Sequence, residues 1–197
     1  MTALEGLEPY LRRFVAESKA SLEETYLLEA MRRFVPLLLR ARADGRTIFF
    51  FGNGGSASTA SHFVVDVGKA TVRGDGKRFR CVALVDNVES LTAWANDTEY
   101  SRVFSEQLKG LAVAGDLAVG ISGSGNSPNV LEAMRTARAL GLATVGLTGM
   151  GGGKLKELVD VPLVVPSNNM QHIEDVHLFV CHFLTAYLRD EQPSIDR

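Results

Sequence analysis

The chain has 197 residues, 46% apolar, 22% charged and 8% aromatic, with a formal net charge of −2. That balance excludes wholesale disorder and suits one folded domain spanning residues 1–197. With 21 Lys and Arg against 23 Asp and Glu, no net basic field is present to hold nucleic acid or an anionic membrane.

The two cysteines, Cys81 and Cys181, sit in apolar runs, which disfavours a disulfide framework and fits a reducing cytoplasm. The opening MTALEGLEPYLRR lacks the apolar run of an export signal, and no stretch approaches about 18 uncharged apolar residues. Residues 7–18 read as a short amphipathic helix. From Ser21 to Arg42 a longer one follows, with Leu22, Tyr26, Leu27, Ala30, Met31 and Phe34 at helical spacing. Ser21 and Glu24 form a capping box at its start, and Pro36 is expected to kink or divide it.

After Gly45 the pattern changes. Thr47–Phe51 (TIFFF) reads as a buried strand, followed by Gly52-Asn53-Gly54-Gly55-Ser56 and a helix through Val67. A turn around Gly74-Asp75-Gly76, expected to be mobile, leads to a second strand at Cys81–Val85 and helical patterns near 90–95 and 100–110. Leu117–Ile121 is a third strand, ending in Ser122-Gly123-Ser124-Gly125-Asn126-Ser127 before a helix over 128–140. Thr144–Thr148 and Val161–Val165 complete the strands, and a last helix spans about 170–188. Apolar strands without alternation, separated by helices, indicate a five-stranded parallel sheet covered on both faces: a three-layer α-β-α sandwich of doubly wound, flavodoxin-like type. Residues 1–45 form a helical segment in front of an α/β core at 46–190, and its surplus apolar surface suits oligomer contacts.

Two strands therefore end in small, polar, glycine-rich turns that open helices. Ligands of open α/β sheets bind beyond the carboxyl ends of strands, and a helix N-terminus there suits a phosphate. Neither turn matches GxxxxGK[ST] or GxGxxG, which disfavours P-loop and dinucleotide chemistry. Two accounts compete: a pair of tight turns that need glycine, or a phosphate-ester site. The pairing of two such turns favours the site. On the helix after the first turn, His62 and Asp66 are four apart and share a face. Glu174 and His182 are eight apart on the last helix. A metal site is one account of these groups; a surface His–Asp pair and ordinary helix packing are the other. Cys181 beside His182 offers a possible ligand, but adjacent helical residues diverge, which favours a buried apolar cysteine; His172 reads as a loop-lining residue, and Trp94 as packed.

The stretches GNGGSASTASHF, ISGSGNSPNV and LTGMGGGKL, with the late two-histidine helix, resemble the sugar isomerase (SIS) domain family, and within it the phosphoheptose isomerases. The resemblance runs from about Ser21 to Leu188. It implies a phosphosugar isomerase that interconverts sedoheptulose 7-phosphate and D-glycero-D-manno-heptose 7-phosphate through an enediol. Ser56, Ser122, Ser124 and Ser127 fall on its phosphate positions, with Gly54, Gly55 and Asn126 in the same turns. Asn53, Asn96, Asp97 and Glu174 fall near the sugar. Asp66 would be the base and His182 the acid, with His62, Asp66, Glu174 and His182 holding one divalent metal, zinc. It further implies a homotetramer with sites at subunit boundaries, where the helices bearing His62 and His182 can come from different chains. Against the family pattern, Asp66 replaces a Glu, Glu174 a Gln, Thr59 an Asp and Gly123 a Thr. The alternative is a non-catalytic SIS adaptor that binds a phosphosugar or a replication initiator; a hexulose-phosphate isomerase is a third possibility.

Overall fold

The computed structural model describes residues 3–74 and 76–191; Asp75 of the turn expected to be mobile lies outside them. β1 (Thr47–Gly52) shows why helices cover the sheet twice. Ile48 and Phe50 join one apolar cluster, Phe49 and Phe51 the other, and all four are buried, as the two-residue period of a strand requires. With β2 (Arg80–Ala83), β3 (Leu117–Ser122), β4 (Ala143–Thr148) and β5 (Val161–Val164) it forms a parallel sheet in the order β2-β1-β3-β4-β5. Two acids, the buried Asp116 and the exposed Asp160, fix strand starts. Asp116 accepts the Thr47 and Val113 N–H groups, and Asp160 accepts the Thr144 N–H.

On one face lie α2 (Glu24–Asp44), α3 (Gly55–Val65) and α8 (Met170–Asp190), contributing Phe34, Leu38, Phe63, Ile173, Val176, Val180 and Leu184. Phe50 stacks on Phe63 with ring centroids 4.9 Å apart. On the other face, α5 (Ser105–Leu111), α6 (Pro128–Ala139) and α7 (Leu155–Leu158) supply Leu108, Val130, Met134 and Leu155. Leu91 and Trp94 of α4 (Val88–Asp97) pack against that second cluster.

The front of the chain departs from expectation. α1 runs from Ala3 to Ser21, and Ser21 closes it by donating to the Glu17 carbonyl, so no capping box forms. Glu23 caps α2 instead, accepting the Thr25 and Tyr26 N–H groups. α2 passes through Pro36 without dividing. Pro36 is exposed while Phe34, Leu38 and Leu39 are buried on either side, so the freed carbonyl can turn to water while packing keeps the axis. His172 lines no loop. It is buried on α8, 2.9 Å from Ser18 Oγ and 3.3 Å from the Glu17 carboxylate, with its ring 4.2 Å from Phe14, so it docks α1 onto α8.

His177 of α8 is fully buried. Its Nε2 lies 3.3 Å from the Thr148 carbonyl and its Nδ1 has no partner. Burial lowers its pKa to about 4, although the Thr148 carbonyl pulls the other way. Between pH 6.5 and 4 the unfolded chain therefore binds a proton that the folded chain refuses. Stability is complete above pH 6.5 and falls as pH drops towards 4, by about 3 kcal/mol. His177→Leu should flatten the plot of Tm against pH in that window, because the Thr148 carbonyl keeps the Val165 N–H at 2.8 Å. An unchanged slope would place the acid sensitivity elsewhere.

Candidate active site

β1 and β3 are neighbours, with Gly52 opposite Ile121, and they stand where the direction of winding reverses in the sheet order. Crevices at such points are where open α/β sheets bind ligands. After β1, Gly54 adopts φ 53° and leads into α3, whose first turn carries the buried Ser56. After β3, the Gly125 N–H donates to the Ser122 carbonyl at 2.9 Å, with Gly125 at φ 65°. Ser122 Oγ and Ser127 Oγ lie 2.9 Å apart, Ser124 Oγ accepts the Asn126 N–H, and Asn126 Oδ1 accepts the Lys154 N–H. Neither Gly54 nor Ser127 caps its helix with a side chain. Two helix N-termini thus open beside hydroxyls at adjacent strand ends, a setting suited to a phosphate.

The two turns are joined by side-chain amides. Asn53 Nδ2 donates to Asn129 Oδ1 at 2.9 Å, Asn129 Nδ2 donates back to Asn53 Oδ1 at 2.8 Å, and Tyr100 Oη donates to the same oxygen at 3.0 Å. Asn129 is buried. Asn129→Ala should therefore cost about 1–3 kcal/mol in a denaturant titration, by removing both bonds across the turns; no loss would mean the pairing is incidental. Asn96 and Asp97, at the end of α4 that leads to Tyr100, are exposed and bonded to each other at 2.8 Å.

A second group lies where α3 packs on α8. His62 Nε2 is 3.3 Å from Asp66 Oδ2 and 3.1 Å from His182 Nε2. Asp66 begins a π-helical turn, Asp66–Ala70, a widening often found at functional sites. His62 and Asp66 keep 42% and 25% of their side chains exposed, so the cluster is open to solvent on one side. Both histidines belong to one chain; no subunit boundary is needed to bring α3 and α8 together. The buried Cys181, expected to be a plain core residue, brings its Sγ into a group with His62 and Asp66 whose ligand atoms all lie within 4.8 Å of one another. Burial, and next the Asp66 charge, push this thiol up to about 12.

Glu174, expected in the ligand set, does not belong to that group of three. A Cβ built on Gly55 would lie 2.5 Å from Glu174 Oε1, so the carboxylate rests on the start of α3, where the helix dipole favours a negative charge. Eight residues separate it from His182, about 12 Å along α8. His62 Nε2 faces both Asp66 Oδ2 and His182 Nε2, and imidazoles and a carboxylate are zinc-type donors, so the chemistry of His62, Asp66 and His182 fits a divalent cation.

The chain matches the model of the SIS domain over residues 12–149. It is 38% identical over 183 residues to the phosphoheptose isomerase of Aliarcobacter butzleri, covering 92% of this chain and 96% of that one. To the phosphoheptose isomerase of Trichlorobacter lovleyi it is 41% identical, covering 82% of each. The chain belongs to the SIS domain family. Among solved SIS structures, the phosphoheptose isomerase of Neisseria gonorrhoeae superposes with a TM-score of 0.84 at 34% identity, covering 91% of this chain and 96% of that one. That of Francisella tularensis gives 0.85 at 26% identity, covering 98% and 100%.

Packing accounts for one departure of this SIS domain from the family pattern. A Cβ on Gly123 would meet Met170 Sδ at 2.4 Å, so α8 fills the space a threonine would need. Thr59 turns inward, donating to the Gly55 carbonyl at 3.2 Å; nothing in the structure explains why the family's acid is absent there. Sequence reading missed Asn129 and Tyr100. They make contacts 76 and 47 residues distant in sequence, for which no local pattern exists.

Proposed function

We propose that the chain is an aldose–ketose isomerase converting sedoheptulose 7-phosphate to D-glycero-D-manno-heptose 7-phosphate. The observation that carries this is the arrangement along α3. Ser56 stands at its phosphate-suited start, and His62, six residues on and about 9 Å along the axis, stands in the acid–base cluster. That span suits an extended seven-carbon sugar phosphate.

The hydroxyls of Ser56, Ser122, Ser124 and Ser127 would hold the phosphate, with Gly54, Gly55 and Asn126 letting the backbone close on it. Asn53, Asn96, Asp97 and Glu174 would meet the sugar hydroxyls. Asp66 accepts the proton from the carbon beside the carbonyl and returns it to the neighbouring carbon; His182 supplies the proton to the oxygen. One carboxylate oxygen of Asp66 faces His62 at 3.3 Å, leaving the second for this transfer. His62, Asp66 and His182 would hold the divalent cation, zinc, which when bound polarises the substrate carbonyl.

Residues 1–45 would serve assembly into a homotetramer, within one SIS domain whose α/β core is 46–190. Leu4, Leu7, Leu11 and Val15 expose an apolar stripe on α1, and Leu22, Leu28, Phe179 and Phe183 are exposed nearby in the fold, which supports that role. No helix among the described residues is long and apolar enough to cross a membrane, consistent with a cytoplasmic enzyme.

The test is direct. Purified, metal-loaded protein incubated with sedoheptulose 7-phosphate should form the aldoheptose phosphate, resolved by NMR. Absence of turnover, together with absence of bound metal in protein purified without chelator, would favour the adaptor instead.

A further inference from the structure

We propose that Asn129 and Tyr100 are positioning residues, which together set the amide of Asn53 so that it offers the sugar a hydrogen-bond donor and no acceptor. This deepens the isomerase reading and rests on it for the presence of a sugar at Asn53. The polarity follows from one backbone group. The Val130 N–H, in the first turn of α6, donates to Asn129 Oδ1 at 3.0 Å. A backbone N–H can only donate, so the atom facing it is the oxygen of that buried amide and the other is its NH2 group. Asn129 Nδ2 must then meet the oxygen of Asn53, at 2.8 Å, and Asn53 Nδ2 returns a bond to Asn129 Oδ1 at 2.9 Å.

Tyr100 completes the arrangement. A hydroxyl can donate or accept, but Tyr100 Oη lies 3.0 Å from Asn53 Oδ1, and beside an oxygen it must donate. An amide oxygen has two lone pairs, and Asn129 and Tyr100 occupy both of those on Asn53. The Asn53 NH2 group keeps one N–H with no partner among the described residues. Asn53 is half-buried in the turn after β1, so this N–H is what its side chain has left for a ligand in the crevice. A sugar hydroxyl is then read there through a lone pair, and its own proton must go to another acceptor.

Neutron diffraction from crystals of the deuterated, unaltered protein reads the polarity directly. Two deuterons are expected on Asn53 Nδ2, one of them towards Asn129 Oδ1, with the Tyr100 deuteron towards Asn53 Oδ1. The reverse orientation of either amide would overturn the assignment. Isothermal titration tests the consequence with two ligands, sedoheptulose 7-phosphate and inorganic phosphate. Asn129→Ala should weaken the sugar phosphate about tenfold and Tyr100→Phe about threefold, with inorganic phosphate unchanged in both. Tyr100 is mostly exposed, so Tyr100→Phe carries the test even if Asn129→Ala does not fold. Equal weakening of both ligands would make the pair a mere brace between the serine turns, and no weakening of either would show that Asn53 needs no setting; each result overturns the proposal. Turnover on the same samples separates the two claims. The expected affinities without turnover support Asn129 and Tyr100 and count against the isomerase. Turnover with affinities unchanged in both variants removes them and leaves the isomerase. Unaltered protein that binds inorganic phosphate but not the sugar phosphate would overturn both.

Discussion

Asp66→Asn is expected to lower kcat by about 10²–10⁴-fold while leaving the dissociation constant for sedoheptulose 7-phosphate nearly unchanged. The amide keeps the volume of the side chain but cannot accept the proton from carbon. On the proposed reading the phosphate end is held elsewhere, by Ser122, Ser124 and Ser127 beyond β3, so ground-state binding should survive. Steady-state kinetics paired with equilibrium binding distinguishes this from general damage. Asp66→Glu provides the conservative control. It keeps a carboxylate and reaches one methylene further, so turnover should persist, whereas a purely structural Asp66 would tolerate the isosteric amide better than the longer acid. Normal kcat in Asp66→Asn would remove this residue from the chemistry.

Gly125→Ala should produce the largest loss of stability among single methyl additions to the site. Gly125 holds φ 65°, a left-handed conformation that costs a side-chain-bearing residue roughly 1–2 kcal/mol. The added Cβ would also lie 2.1 Å from the Gly152 carbonyl oxygen, and backbone cannot swing aside as a side chain can. Strain plus forced displacement should total about 3 kcal/mol or more, a fall in Tm of roughly 6–12 °C for a chain of this size. Because the Leu155 N–H donates to the Gly125 carbonyl and the Lys154 N–H to Asn126, the displacement would carry the phosphate turn with it. Affinity for inorganic phosphate should fall along with Tm. Gly54→Ala offers the contrast: its φ of 53° is also positive, paired with ψ −121°, but a Cβ there meets nothing within 4 Å, so its cost should be backbone strain without a clash.

The sheet was legible because each strand is a short apolar run with no alternation, and the turns because their glycines and serines interrupt such runs abruptly. The His62–Asp66 pair followed from four-residue spacing alone. What escaped was decided by packing. Pro36 breaks helices in general, yet Phe34, Leu38 and Leu39 bury both sides of it and α2 continues. Ser21 and Glu24 have capping-box spacing, but α1 reaches Ser21 and leaves the cap to Glu23. The π turn at Asp66 has no residue signature. Glu174 escaped for a related reason: spacing along α8 says how far apart residues are, whereas the face that α3 covers brings His182 and the buried Cys181 to His62 and seats Glu174 against Gly55.

A crystal structure of the Asp66→Asn protein with sedoheptulose 7-phosphate would bear most directly on how the site works. The phosphate oxygens are expected within about 2.5–3.0 Å of the hydroxyls of Ser56, Ser122, Ser124 and Ser127, with the carbonyl end of the sugar between residue 66 and His182. A sugar bound away from the β1 and β3 turns, or seated there with its carbonyl end pointing away from His182, would contradict the proposed function.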